Sequence, residues 1–299
     1  MNYIKKLFLP VLILGIFIGI AFWRYFATGK VFYLINFGYI GFSLALGLFL
    51  SSVFSKKKIG TARRIAQVLI GLYLLVYVGI IAKEDLQIEG FWIYLFSGYF
   101  AGATLHYFIA KIIGTFVFNR GWCGWACWSA MIFDLMPWKK PKTPLNKKMT
   151  VIRYVHFTVI FITMVVLFFY SDFGKSFIRK KNVELYWLLI GNALYYIIGI
   201  TLAALLHDNR AFCKYVCPIP VFMKIGARFS LLKNEIDSNK CIECRKCEVN
   251  CPMQIKLLDY KQQGYRIMST ECILCQTCES VCPKDAIKMT IKIDKKYFH

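Results

Sequence analysis

The chain has 299 residues, a formal charge of +22, 58% hydrophobic residues and 18% charged residues, against about 45–50% and about 25% in soluble domains. That excludes a disordered chain and argues against one large soluble enzyme. Nucleic acid is not expected as a partner either, because the basic residues sit between long apolar runs and do not form a patch on a soluble fold.

Six apolar runs approach the roughly 20 helical residues that cross a hydrocarbon core: residues 7–26, 31–54, 65–82, 91–110, 151–170 and 185–206. Backbone in lipid must bond to itself, so these are expected as helices. Lys5 and Lys6 precede the first run. Lys56, Lys57, Lys58, Arg63 and Arg64 follow the second, and Arg120, Lys139, Lys140, Lys142, Lys147 and Lys148 follow the fourth. The alternate loops are poorer in positive charge: Arg24 and Lys30, then Lys83 among Glu84, Asp85 and Glu89, then Lys175, Arg179, Lys180 and Lys181. Positive loops stay on the cytoplasmic side, which places both ends in the cytoplasm and the chain, multi-pass, in the cytoplasmic (inner) membrane beside anionic lipid. Tryptophan favours membrane interfaces: Trp23, Trp92 and Trp187 fall at predicted outer ends, and Trp122, Trp125, Trp128 and Trp138 on the inner side. A cleaved signal peptide is the weaker reading of the first run, which is long for one and is followed by the poor site Ala27-Thr28-Gly29.

In the fourth run His106 lies about 15 residues, or ~22 Å at ~1.5 Å per residue, from the outer end. His156 lies about five residues into the fifth run from its inner end, at similar depth. Ionisable residues inside a membrane are functional candidates. Either histidine suits proton transfer, or simply a hydrogen bond between helices; a bis-histidine haem would need a better-marked facing pair. Asp134, in Met131-Ile132-Phe133-Asp134, reads as a pocket residue or as the polar position of an amphipathic surface helix. Lys111 is expected to snorkel to the headgroups.

Asn119-Arg120-Gly121-Trp122-Cys123-Gly124-Trp125-Ala126-Cys127 follows the fourth run, and Asn209-Arg210-Ala211-Phe212-Cys213-Lys214-Tyr215-Val216-Cys217 follows the sixth, 90 positions later. Nine aligned positions of matching character predict a duplicated unit related by a pseudo-two-fold axis. On a helix, C-x3-C puts both sulfurs on one face. Cys123, Cys127, Cys213 and Cys217 could then supply four thiolates to a third cluster or a metal, form a redox dithiol, or be packed and reduced; the spacing leaves all three open.

Cys241-x2-Cys244-x2-Cys247-x3-Cys251-Pro252 recurs 31 positions later as Cys272-x2-Cys275-x2-Cys278-x3-Cys282-Pro283. The repeat resembles bacterial two-cluster ferredoxins. Three thiolates on one loop cap three corners of a cubane, and the fourth, before a φ-restricting proline, reaches the other cluster. The resemblance implies one [4Fe–4S] cluster on Cys241, Cys244, Cys247 and Cys282, and another on Cys272, Cys275, Cys278 and Cys251. Structural zinc would need two C-x2-C pairs per site, which is not this pattern. Lys240, Arg245 and Lys246 either offset cluster charge, face an acidic partner, or form a solvated surface.

Two C-x3-C loops ahead of such a tail resemble the NapH/MauN-type membrane ferredoxins, which take electrons from quinol and pass them to partner redox proteins; NosR- and CcoG-type proteins share this core. The resemblance runs from about Ile65 to the end and departs at Trp128, where a proline would follow Cys127. The tail runs to His299 with no large leading or trailing domain, a further likeness to the NapH type. The expectation is an α-helical integral membrane protein of about six spans (residues 1–234) and a small α+β two-cluster ferredoxin domain (residues 235–299). It is read as an electron-transfer subunit of a quinol dehydrogenase-type oxidoreductase, with quinone as substrate and a redox protein or other membrane subunits as partners. A metal-reducing or assembly protein of the CcoG kind, and a redox-sensing membrane regulator, are the alternatives.

Overall fold

The computed structural model of the chain describes residues 3–100 and 102–294, with side chains from residue 7 onward. The side chains of Lys5 and Lys6, and all of His299, lie outside the described residues. Helix α1 (Tyr3–Thr28) turns through Gly29, at φ +68°, into α2 (Phe32–Val53). The two pack so closely that a Cβ at Gly41 would collide with Phe17. Helix α3 (Lys56–Ile81) opens with a 3₁₀ turn and ends in wide π-type turns from Tyr73 to Ile81.

The fourth expected span is not one helix. Residues 82–87 turn back into the protein as non-helical chain, and only Ile88–Phe96, α4, is helical before the chain breaks again at Gly98, φ +70°. Helix α5 (Gly102–Phe118) then runs toward the C-terminal unit and is shorter than a usual span. Such re-entrant chain is tolerated in a membrane protein only where protein covers it. Here Asp85, Leu86, Gln87, Ile88 and Glu89 are all buried, so Asp85 and Glu89 are not the loop acids that the charge count took them for. Trp92 leaves the expected interface too, packing edge-on against Phe161 with ring centroids 4.8 Å apart.

Helix α6 (Gly121–Trp125) carries Cys123, and Cys127 directly precedes α7 (Trp128–Phe133). Helices α8 (Met149–Phe169) and α10 (Lys181–Leu206) complete the five that, among the described residues, are long and apolar enough to cross a membrane, with α9 (Phe173–Arg179) between them. Their outward faces stay apolar, with Val155, Val159 and Ile162 on α8 and Ile190, Leu194 and Ile197 on α10 exposed, as a lipid-facing belt requires. His207, in the left-handed region at φ 49°, ends α10. Helices α11 (Ala211–Tyr215) and α12 (Pro220–Arg228) follow with the second cysteine pair.

Strand β1 (Leu232–Ile236) pairs antiparallel with β2 (Ile287–Ile291), Leu232 opposite Ile291 and Ile236 opposite Ile287. The four-residue α13 (Lys246–Val249), α14 (Leu257–Gln262) and α15 (Thr277–Val281) lie between them. Strand β1 starts three residues before the expected boundary at residue 235. Just ahead of it, the Leu231 N–H donates to the Phe116 carbonyl of α5 at 2.9 Å. The two parts share a core in which Cys123 and Met223 of the bundle pack with Ile273 and Leu274.

The break at α4 depends on Gly90, where a Cβ would strike the Asp85 carbonyl oxygen. Gly90→Ala is expected to destabilise the fold by about 1–3 kcal/mol, read as an earlier thermal midpoint in detergent. Gly15→Ala, which meets open space, should leave the midpoint unchanged.

Candidate functional site

The C-terminal cysteine loops repeat in their backbone as well as their sequence. Glu243 and Arg245 take positive φ (53° and 57°), as do Leu274 and Gln276 (50° and 58°) 31 positions later. Such non-glycine residues cost about 1–3 kcal/mol apiece and persist where the surroundings dictate them. After each fourth cysteine the pattern recurs: the Ile255 N–H points at Cys251 Sγ (3.5 Å) and the Ala286 N–H at Cys282 Sγ (3.3 Å).

Cys241, Cys244, Cys247 and Cys282 line one cavity, so the fourth cysteine of the second motif joins three of the first. In the reciprocal set, Cys278 lies in the field of Cys275, Cys272 and Cys251, and Asn234 Nδ2 lies 3.7 Å from both Cys272 Sγ and Cys278 Sγ. Burial, reinforced by neighbouring sulfurs, pushes the Cys272 thiol up to about 12 and Cys251 to about 11. Burial raises the Cys278 thiol as well, and thiols raised in this way ionise together only where a cationic centre stands among them. Among the described residues no three His, Cys, Asp or Glu side chains meet at a point suited to one ion. A cubane differs in taking one thiolate at each iron corner, and the donor set fits it.

The two sets face different surroundings. Cys244 is exposed and Ile242 is 57% exposed beside it; Arg245 and Lys246 are exposed too, and Lys240 pairs with Asp237 at 3.4 Å. The second loop lies against the bundle. Trp125 Nε1 donates to the Leu274 carbonyl at 2.9 Å, and a Cβ at Gly124 would strike the Ile273 carbonyl oxygen. Glu271, next to Cys272, is paired with Arg120, with Arg153 at 2.9 Å and with Lys224 at 2.7 Å. Burial alone would raise its carboxyl; the Arg120 and Arg153 guanidinium groups outweigh burial and bring it down to about 2.

The N-R motif pairs hold the other four cysteines. In both copies a five-residue helix ends and two amides converge on one carbonyl: Ala126 and Cys127 on Trp122, Val216 and Cys217 on Phe212. The helix therefore stops between the two cysteines of each pair, and their sulfurs are not placed by a shared helical face. Cys217 nevertheless lies in the field of Cys213, Cys123 and Cys127. Burial raises the Cys127 and Cys217 thiols and pushes Cys213 up to about 11 against the pull of Arg210. Cys123 Sγ rests 3.6 Å from Met223 Sδ.

Asp134 is neither a pocket residue nor on a surface face. It binds Arg63 at 2.8 Å and Arg210 at 2.6 Å, and its side chain is 12% exposed; Arg210 Nη1 also donates to the Cys123 carbonyl. Lys111 does not snorkel: it is buried, with Nζ 5.2 Å from the Trp122 ring centroid. His156 Nδ1 bonds the carbonyl of Val216, the residue that ends α11, at 2.9 Å. His106 is the fifth residue of α5, so its depth in one unbroken span no longer applies. It sits edge-on to Trp122 at 5.0 Å, its Nε2 has no partner, and it lines an apolar cavity of about 250 Å³. Its wall includes Glu84, Gly102, Tyr33, Asn119, Trp125 and Leu274. Sequence reasoning missed Arg63, Arg153, Glu271 and Gln254, whose amide receives the buried Lys214 Nζ at 2.6 Å. The repeated N-R pair was the available signal for Arg120 and Arg210.

The family model described as a 4Fe-4S dicluster domain matches residues 234–289, and the one described as a 4Fe-4S binding domain matches residues 100–148 and 192–235. The uncharacterized protein MJ0749 of Methanocaldococcus jannaschii is 33% identical over 228 residues, covering 76% of this chain and 84% of that protein. The methylamine utilization ferredoxin-type protein MauN of Methylobacillus flagellatus is 24% identical, covering 53% of this chain and 58% of its own. The ferredoxin-type protein NapH of Escherichia coli is 23% identical, covering 45% and 48%. No solved structure matches the chain significantly.

Removing Asp134 leaves two buried guanidinium groups facing each other. Asp134→Asn is expected to cost about 3–5 kcal/mol at neutral pH. Burial raises the Asp134 carboxyl, but Arg210 and Arg63 hold it below the ordinary aspartate range. The stabilisation is thus complete above that range and is lost as pH falls through the depressed folded value. The gap between variant and wild type, followed by unfolding in detergent, should close in acid.

Proposed function

We propose, for a chain that belongs to the NapH/MauN ferredoxin-type proteins, that it passes single electrons between quinone in a membrane and a protein redox partner. Cys241, Cys244, Cys247 and Cys282 hold one [4Fe–4S] cluster, and Cys272, Cys275, Cys278 and Cys251 the other. Each cluster supplies one-electron redox chemistry. The helical part lies in the cytoplasmic membrane, with the N-terminus and the C-terminal unit in the cytoplasm, as the positive loops favour.

One observation carries this reading: the apolar cavity that holds His106 is also lined by Trp125 and by Leu274 of the second cysteine loop. An apolar cavity with a few polar groups is the ordinary form of a small-molecule site. Quinol oxidation releases two electrons and two protons. His106 Nε2, buried and unpartnered in the cavity wall, accepts one proton from a quinol hydroxyl, and the second passes to bulk water, while the two electrons go singly to the two clusters. Trp122 fixes the His106 ring from its edge, and Asn119 and Tyr33 supply further polar atoms in the wall. Trp125 and Arg120 hold the second loop to the bundle, so electron entry is at that loop and exit is at the exposed Cys244 side.

A second reading, reduction of a metal ion by a protein of the CcoG kind, is favoured by the soft donor pair Cys123 and Met223. It would appear as rapid reduction of cupric ion.

Anaerobic holoprotein in lipid is expected to hold about eight irons per chain, and about twelve would place a third centre on the four bundle cysteines. Added quinol should produce the EPR signal of reduced clusters. His106→Leu should slow that reduction while leaving iron content and dithionite reduction unchanged. Clusters that dithionite reduces but no quinol does would overturn the quinone reading, and zinc in place of iron would overturn the cluster reading.

A further inference from the structure

The re-entrant segment places an ordered line of polar groups inside the apolar bundle, and Glu84 at the outer end of that line also borders the His106 cavity. At the end far from the C-terminal unit, Lys181 pairs with Glu184 at 3.2 Å and lies 4.0 Å from Glu84, with Lys181 half exposed. One step inward, Glu184 is fully buried and accepts the Asp85 N–H at 2.9 Å and the Tyr94 hydroxyl at 2.6 Å. Next, Gln87 lies against Gly191, where a Cβ would collide with its amide. Last, Glu89 Oε1 accepts the Tyr195 hydroxyl at 3.2 Å. The contacts advance along α10 from Glu184 to Tyr195, a rise of ~16 Å.

Partners are missing along this line. Asp85 Oδ2, both amide atoms of Gln87 and Glu89 Oε2 are buried without a hydrogen bond, and Gln87 is only 3% exposed. Buried polar atoms are nearly always satisfied, by ordered water where protein supplies nothing. A segment needed only as packing would be more stable with apolar residues here. The groups facing Glu89 are also known: Tyr195 from α10, Tyr107 from α5, Asp85 from its own segment, and Cys217 and Cys127 beyond Tyr107.

We propose that this line is a proton path from the far end of the bundle to Glu89, which takes up a proton when an electron enters the iron–sulfur unit. The proposal rests on the iron–sulfur reading above and not on the quinone reading. In the step, the electron donor reduces a cluster by one electron. One proton leaves water at the Lys181–Glu84 mouth, passes along water held by Glu184 and Gln87, and forms an O–H bond on the Glu89 carboxylate. One negative charge enters the interior and one positive charge follows it, which removes the cost of an uncompensated charge in low dielectric.

The test is the redox-induced infrared difference spectrum of the full holoprotein in lipid, with dithionite or an electrode as electron source and the visible bleaching of the clusters recorded together. Reduction should bring up a carboxylic acid C=O band that shifts in D2O. Glu89→Gln should lose the band at unchanged iron content, Glu89→Asp should keep it, and Gln87→Leu should delay its appearance relative to bleaching. Asp172→Asn, an exposed acid outside the line, should change nothing. Bleaching without the band, or a band that survives in Glu89→Gln, overturns the proton path and leaves the cluster reading standing. No bleaching at all overturns both.

Discussion

Two buried sets of arginine–carboxylate pairs hold this molecule together where its halves meet. Arg63 and Arg210 share Asp134 inside the bundle, and Arg120 and Arg153 share Glu271 at the junction. A guanidinium group taken out of water costs several kcal/mol unless a carboxylate and further acceptors surround it. Arg210 adds the Cys123 carbonyl to its partners, and Arg153 adds the Lys214 carbonyl. Arg63, Arg153 and Arg210 thereby fix the backbone of a cysteine loop as well as a charge. The two arginines of the duplicated motif have diverged in task, Arg210 holding the bundle loops to each other and Arg120 holding the C-terminal unit to the bundle.

This anchoring makes the two equivalent halves of the C-terminal unit inequivalent. Their loops share the same left-handed residues and the same amide-to-sulfur contacts. One loop is nonetheless pressed against Trp125 and Gly124, and the other carries the exposed Cys244. A symmetric pair of cysteine sets thus becomes an ordered one, with a bundle side and an outer side.

The iron–sulfur character of the tail was legible in the sequence. The repeated spacing of eight cysteines resembles two-cluster ferredoxins, a resemblance that implies the crossing of the fourth ligand, and Cys282 lines one cavity with Cys241, Cys244 and Cys247. The long apolar helices were legible because hydrocarbon leaves backbone no alternative. The break at α4 was not, because residues 91–110 carry no charge or proline, and glycine is common in membrane helices, so Gly98 and Gly102 gave no warning. The burial of Arg63, Arg120 and Lys111 was hidden for another reason. A charge count treats every Lys and Arg near a span as solvent-facing, yet Glu271 lies 151 positions from Arg120 and Asp134 lies 76 from Arg210. No local pattern reports such partners.

The order of the clusters is the claim on which electron flow from membrane to partner depends, and solvent access measures it directly. EPR of the reduced holoprotein, with and without a water-soluble paramagnetic relaxation agent, should show one cluster signal relaxed strongly and the other little affected. In Cys244→Ser protein the strongly relaxed signal should be the one altered. Equal relaxation of both signals, or an altered signal that was the protected one, would contradict a second cluster sealed against the bundle.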